Sequence, residues 1–473
     1  MDQELLFGEL AFSDIESPKQ VKELAKALTV GYEMGTTDQV GFGATRIESL
    51  EKTLKWVTAK EKSATFWKSL RKGKGESTVE EFASMNEIGD AGFYTEGGLP
   101  EEYDEDIKRE FEQTKYIGAV GKVPNPARVI KSIVNNVAVV QRAKAISIMW
   151  HADYKSFFGN ATNISTEWNG FLTQFLTRVK EPTQNVIDLA GKRLRPETLN
   201  DVSTIIQDNY GDPNNTQGWL SPQAFNDYTD ELLKERRFFV GTSEARNLVA
   251  AAKSFEVGNG KGRMDTDIFL RYRGQHYNKQ PHPKLNAAGS AFASTHAKAP
   301  NVLDGSTFTC TPGGSGGTIP AATYDYCAVP VNRFGQGQGF QVADVVVGAA
   351  EIVTFVLADN GSPTGQEATC FDIYRRLATS TDYKDYRYVK TIAVGAATKV
   401  DNGSDIPGTT TAFFWDWDFD QVLDFKQLLP MVKMPLAVID DSIRWLQKLY
   451  GTPILYNANK MVVVKNIGST AWS

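Results

Sequence analysis

The chain has 473 residues, a length that suggests two to four domains. Its 41% hydrophobic and 23% charged residues are those of a soluble globular protein, and a net charge of −6 lacks the dominant basic balance of a dedicated nucleic-acid binder. The start, MDQELLFGELAFSD, carries acids where a secretory leader carries Lys or Arg, and no apolar run approaches the roughly 18 residues of a membrane span. A cytosolic origin is therefore expected, and numbering from Met1 leads to the further expectation that no N-terminal piece is removed.

Residues 1 to about 65 read as a polar arm. Ser17 is a good N-cap, Pro18 suits the first turn, and Val21, Leu24 and Leu28 recur at helical spacing. A loop past Gly31 and Gly35 leads to a second short helix. Residues 66–123 turn strand-like, with FWKSLRKGKGESTVEEFASM and KREFEQTKYIGAVGKV on either side of an acidic, glycine-bearing stretch. An extended hairpin is expected, thin enough to need something to lie on.

A long helix follows. Val139, Ala143, Ile146, Trp150, Tyr154 and Phe157 step by three or four, and about 22 residues give a rod of roughly 33 Å, stopped at Gly159. Further helices are expected from Pro196, with Leu199, Val202, Ile205 and Ile206 inward, and from Pro222, capped by Ser221, with Phe225, Tyr228 and Leu232 on one face. Residues 258–262, GNGKG, read as a loop. From 301 to about 411, Gly, Thr, Ser, Ala and Val dominate, and AEIVTFVLAD, CFDIYRRL and YRYVKTIAV read as strands between turn signals, as in a small inserted β-sandwich. In PLAVIDDSIRWLQKLYG the spacing of Leu436, Ile439, Ile443, Leu446 and Tyr450 predicts a helix closed by Gly451. KMVVVKNI reads as a buried final strand.

Catalytic signatures fail on context. GGSGG at 313–317 fits G-x-S-x-G around Ser315, but strand-like TIPAATYDY follows where a nucleophile elbow needs a helix. RKGKGES lacks a phosphate-loop glycine, and GQGQG at 335–339 precedes no helix. His151, His276, His282 and His296 form no i, i+4 pair, and Cys310, Cys327 and Cys370 have no zinc spacing, so three buried or partly buried thiols are expected. The hairpin's acids, Glu96, Glu101, Glu102, Asp104, Glu105 and Asp106, crowd one polar loop, where they share one solvated environment. A glycosidase instead separates two carboxylates across a cleft. No D-x-[DN]-x-[DN]-G calcium pattern is present. A solvated loop or a contact arm remains.

In order and wording, five stretches resemble the major capsid protein of tailed bacteriophages, the Hong Kong 97 type fold shared with herpesviruses, and especially those of large contractile-tailed phages. They are ATFWKSLRKGKGESTVEEF, GFYTEGGLPEEYDEDIKREFEQTKYIG, AKAISIMWHADYKSFFGNA, DNYGDPNNTQGWLSPQAFNDYTDELLKERRFF and QLLPMVKMPLAVIDDSIRWLQKLYGTPILYNANKMVVVKNI. The resemblance implies an α+β capsid fold. Its parts would be an N-terminal arm (1–65), an E-loop hairpin (66–123), a P-domain with spine helix (124–165), A-domain and P-domain strands (166–300), an inserted immunoglobulin- or fibronectin-like β-sandwich (301–411), and a return to the P and A domains (412–473). It implies a structural protein without enzymatic activity, cofactor, metal or membrane, self-assembling into hexamers and pentamers around double-stranded DNA beside portal, scaffolding and decoration proteins. The hairpin's acids would then meet basic residues between subunits, with Lys68, Arg71, Lys72 and Lys74 as candidates. An encapsulin-like compartment shell shares the fold. A secreted carbohydrate-active enzyme with a fibronectin-type module would need a leader and a carboxylate pair on separate strands.

Overall fold

The computed structural model describes residues 63–87, 91–96, 98–99, 106–129, 135–235, 254–257, 260–271, 282–437 and 440–468. The two helices expected in the arm lie outside the described residues, as does His276. In chain order, helix α1 (Thr65–Ser69) leads to strands β1 (Lys72–Lys74), β2 (Val79–Glu87), β3 (Asp106–Gln113) and β4 (Lys115–Pro124). Helices α2 (Asn136–Phe158) and α3 (Phe171–Arg178) follow. Next come β5 (Val186–Asp188), α4 (Pro196–Asp208), β6 (Thr216–Leu220), α5 (Pro222–Glu235), β7 (Ser254–Val257) and β8 (Gly260–Thr266). A β-only stretch holds β9 (Phe308–Gly313), β10 (Ala322–Asn332), β11 (Gly335–Gln336), β12 (Phe340–Val347), β13 (Ile352–Leu357), β14 (Cys370–Leu377), β15 (Arg387–Ala393) and β16 (Val400–Asp401). The chain closes with β17 (Thr410–Asp416), β18 (Leu423–Pro435), β19 (Ser442–Leu455) and β20 (Met461–Ile467).

Helix α2 forms where the 3.6-residue pattern predicts it. Asn135 caps it by accepting from the amides of Val137 and Ala138, and Gly159 ends it. Ile146, Trp150, Tyr154 and Phe157 are buried. Against it lies a sheet of order β1-β18-β19-β4. A six-stranded sheet, β5-β20-β17-β6-β8-β7, is covered on one face by α4 and α5 through Leu199, Val202, Ile206, Ala224 and Tyr228. Its other face carries Phe413 and Trp415, which meet Phe66, Phe157 and Phe171 in one aromatic cluster, with Phe66 and Phe157 stacked at 4.1 Å. Strand β17 alternates Phe414 to one side and Phe413 and Trp415 to the other, so this centre of the fold is buried on both faces.

Residues 308–401 form two sheets, β11-β10-β14-β15 with β12 also on β10, and β16-β13-β9. They share a core that includes Phe308, Tyr326, Phe355, Phe371 and Ile373. Arg375 pairs with Asp401 at 2.6 Å on the core side, beside Tyr324 and Tyr326, and Arg376 pairs with Asp325 at 2.8 Å on the opposite face of the β10–β14 sheet, against the Tyr386 ring. The segment from 282 packs against this region too, with Phe292 beside Tyr383 and Tyr386. Cys327 and Cys370 are buried, Cys310 is half-buried, and all three are free thiols.

Two local expectations are corrected. The helix predicted around Leu436–Tyr450 is the strand β19, paired antiparallel with β18 and β4. From Trp445 to Leu449 burial alternates through Trp445, Gln447 and Leu449, a period of two, the strand is buried throughout from Gly451 to Leu455, and at Gly451 a Cβ would come within 2.5 Å of Phe425. The loop expected at 258–262 is largely the start of β8, folded back on β7. Gly262 is needed there because a Cβ would lie 2.2 Å from the Phe255 ring. Ser315, in agreement with the strand-like sequence after it, sits on an exposed turn that leads to strand β10.

Candidate assembly interface

Strands β2 and β3 pair only with each other, from Val79 opposite Gln113 to Glu87 opposite Asp106. Alternation gives this ribbon two faces. One carries Phe82, Glu110 and Glu112 and rests on the rest of the chain. The Phe82 ring meets Tyr456 edge-on at 5.1 Å and lies 5.2 Å from the Arg178 guanidinium. Arg178, at the end of α3, also binds Glu110 at 2.6 Å and Glu112 at 2.7 Å. Burial pushes Glu112 up more strongly than Arg178 and Asn169 pull it down. The ribbon's root is thus clamped by one arginine.

The opposite face is open. Met85, Ile107 and Phe111 lie on it, with Phe111 61% exposed, beside an Arg109–Glu81 ion pair. Phe93, Tyr94 and Leu99 are exposed further along the hairpin, and Tyr116, Val120 and Val129 follow it. Among the described residues, nine of the twenty large exposed apolar side chains fall between 85 and 129. The outer face of the β18-β19-β4 sheet adds exposed Val432, Met434 and Leu436. Exposed large apolar side chains are thus concentrated between 85 and 129 rather than spread evenly along the described residues.

The candidate charged residues are distributed unevenly. Glu96 lies on an exposed turn, and Asp106 opens β3, while Glu101, Glu102, Asp104 and Glu105 lie outside the described residues. Lys68 and Lys74 are exposed. Arg71 is held within its own chain by Asp420 at 2.5 Å and Asp424 at 3.2 Å, which raise its pKa. Lys72 donates to the carbonyls of Trp67 and Leu70, and burial pushes it down to about 8. The structure therefore brings Arg71 and Lys72 to partners inside the chain.

Beneath α1 lie two buried carboxyls, Asp153 on α2 and Asp267 after β8. Asp153 accepts from the Trp67 amide at 3.3 Å, and Asp267 accepts from the Thr65 hydroxyl at 2.7 Å and the Phe66 amide at 3.2 Å. Burial raises both, and their proximity raises Asp153 further. They anchor the turn that leads into the hairpin. Sequence reasoning did not single out Arg178, Glu110, Glu112, Asp153 or Asp267, because their partners are dozens to hundreds of residues away. Among the described residues no group of three or more His, Cys, Asp or Glu could hold a metal ion, and no helix is long and apolar enough to cross a membrane.

No family model matches the chain. The major capsid protein of Staphylococcus phage K is 21% identical over 473 positions, covering 94% of this chain and 95% of that protein. The major capsid protein of Staphylococcus phage S25-3 matches at the same identity and coverage. A provisionally named major capsid protein of Enterococcus phage phiEF24C is 23% identical over 470 positions. The chain is homologous to phage major capsid proteins. Among solved structures, this capsid protein homologue is similar to the SrpI encapsulin of Synechococcus elongatus, at a TM-score of 0.43 and 8% identity over 89% of this chain and 94% of that one. It is also similar to a chain of Mycobacterium phage Ogopogo, at 0.44 and 8% over 90% and 99%. The end-to-end sequence relation, not these likenesses, supports the assignment.

Proposed function

We propose that the chain is the major capsid protein of a tailed phage, a non-enzymatic structural subunit whose copies close into hexamers and pentamers of an icosahedral head around packaged double-stranded DNA. The single observation that carries this reading is sequence relation to phage major capsid proteins over 94% of the chain. The protein would be assembled in the host cytoplasm and reside in the virion, beside portal, scaffolding and decoration proteins.

In this reading the β2–β3 ribbon is the E-loop of a Hong Kong 97 type fold, α2 the spine helix and the β18-β19-β4 sheet the body of the P-domain. The six-stranded sheet with α4 and α5 belongs to the A-domain, and the paired sheets of 308–401 are the inserted immunoglobulin- or fibronectin-like domain. The ribbon's open face, with Met85, Ile107 and Phe111, would be covered by a neighbouring subunit. Of the candidate cations, Lys68 and Lys74 remain available on the surface for Glu96, Glu101, Glu102, Asp104, Glu105 and Asp106 of that neighbour. One exposed pair contributes at most about 1 kcal/mol, and repetition around closed rings multiplies it.

Glu101→Lys with Glu102→Lys tests this. The variant should melt like the wild type and form far fewer rings and shells by electron microscopy. Shells of normal number and stability would count against the contact role of the acids.

A further inference from the structure

We infer that a groove between the N-terminal half of α2 and the β18-β19 pair binds an acidic, partly apolar peptide segment of another protein. The inference goes beyond the assembly reading and concerns the single chain. The groove holds about 440 Å3, within the roughly 300–1,000 Å3 of ligand sites. Ala138, Arg142 and Ala145 of α2 line one side and Met431, Val432 and Lys433 of β18 the other, with Gln141 and Gln447 between them. Ala138 and Ala145 stand two turns apart on one face of the helix, and their small side chains leave the space open.

Gln447, 4% exposed, is the group that points to a ligand. Its amide nitrogen donates to the Gln141 carbonyl at 3.2 Å, and because a carbonyl can only accept, the side chain cannot be turned round. Its Oε1 is left buried with no hydrogen-bond partner. A buried acceptor without a donor is costly, and at the floor of a groove it calls for an N–H from outside. Lys433 stands opposite Gln447 in the β18-β19 register, so both side chains face α2. Among the described residues the ammonium has neutral partners, the Gln141 Oε1 at 3.0 Å and the Trp445 ring at 4.8 Å. Arg142 is exposed on the facing helix, and no carboxylate is among the described residues that line the groove.

These features specify the ligand. An N–H must reach the Gln447 Oε1, an anion must meet Lys433 and Arg142, and an apolar group must lie on Met431 and the two alanines. A peptide with Glu or Asp beside an aliphatic residue supplies all three, its backbone amide being the donor. A nucleic acid supplies the anion, but no aromatic ring is among the described lining residues for a base to stack on. Beyond the groove β18 goes on with exposed Met434 and Leu436, apolar surface that a continuing polypeptide can cover and a small anion cannot.

The test is fluorescence anisotropy of a labelled eight-residue peptide of alternating Glu and Leu, titrated with full-length protein, with thermal melts to check folding. Saturable binding is expected, and Lys433→Glu and Gln447→Met should each weaken it by about fivefold or more. Ala138→Phe, at an exposed helix position, fills the groove and should abolish binding. If Gln447→Met misfolds, the other two variants decide. No binding to the wild type, or equal binding to every variant, overturns the inference. So does equal binding of a poly-glutamate peptide or of single-stranded oligothymidylate, either of which would make this a plain anion site. Self-association that falls in Ala138→Phe, with no peptide bound by the wild type, would give the groove to a second copy of the chain and overturns it too. Particle formation does not enter this assay, so the inference and the assembly reading fail separately.

Discussion

Phe111→Thr on the open face of the hairpin separates folding from assembly. In the single chain Phe111 is 61% exposed, so the ring contributes little there, and threonine keeps the strand preference. Monomer stability should change by about 0.5 kcal/mol or less. In an assembled ring the picture differs. Covering the open part of an aromatic side chain of about 200 Å2 removes about 120 Å2 from water, or about 3 kcal/mol. Threonine retains a fraction, leaving a loss of about 2 kcal/mol per contact, roughly 30-fold in association. The assay is the critical concentration for particle formation by light scattering, beside a thermal melt of the unassembled protein. An unchanged critical concentration would refute the placement of this face at a subunit contact. A melting point lowered by more than about 4 °C would mean that Phe111 packs within its own chain.

Other consequences follow from the same geometry. Arg178→Met leaves Glu110 and Glu112 without their cation, so chemical denaturation should show a loss of about 3 kcal/mol, with protease cutting first in the hairpin. Asp153 and Asp267 hold protons more tightly folded than unfolded, so stability should fall as pH rises from the usual aspartate value of 3.8 towards their raised values. Asp153→Asn should make that fall shallower in urea melts taken across the range, and an identical slope would exclude a role for Asp153. Gly121→Val drives a Cβ to 2.4 Å from the Trp445 indole, and should cost about 2 kcal/mol or more by the same melts.

The parts legible in the sequence are those where local pattern and tertiary context agree. Helix α2 shows its period in Ile146, Trp150, Tyr154 and Phe157 and its stop in Gly159, and α5 shows its cap, since the Ala224 amide does donate to the Ser221 hydroxyl at 3.2 Å. Strand β19 was not legible because two periods coincide in it. Ile443, Leu446 and Tyr450 suggest a helix, while the buried alternation runs through polar Gln447, whose amide donates to the Gln141 carbonyl at 3.2 Å. The open apolar face of the hairpin was foreshadowed by its thinness. Which basic residues are free was not, because Asp420 and Asp424, which hold Arg71, lie about 350 positions along the chain.

The central claim, that this chain builds a shell, is tested most directly by negative-stain electron microscopy of the expressed full-length protein. Rings of five or six subunits and closed shells are the predicted result. A monomer that persists under all assembly conditions would contradict it.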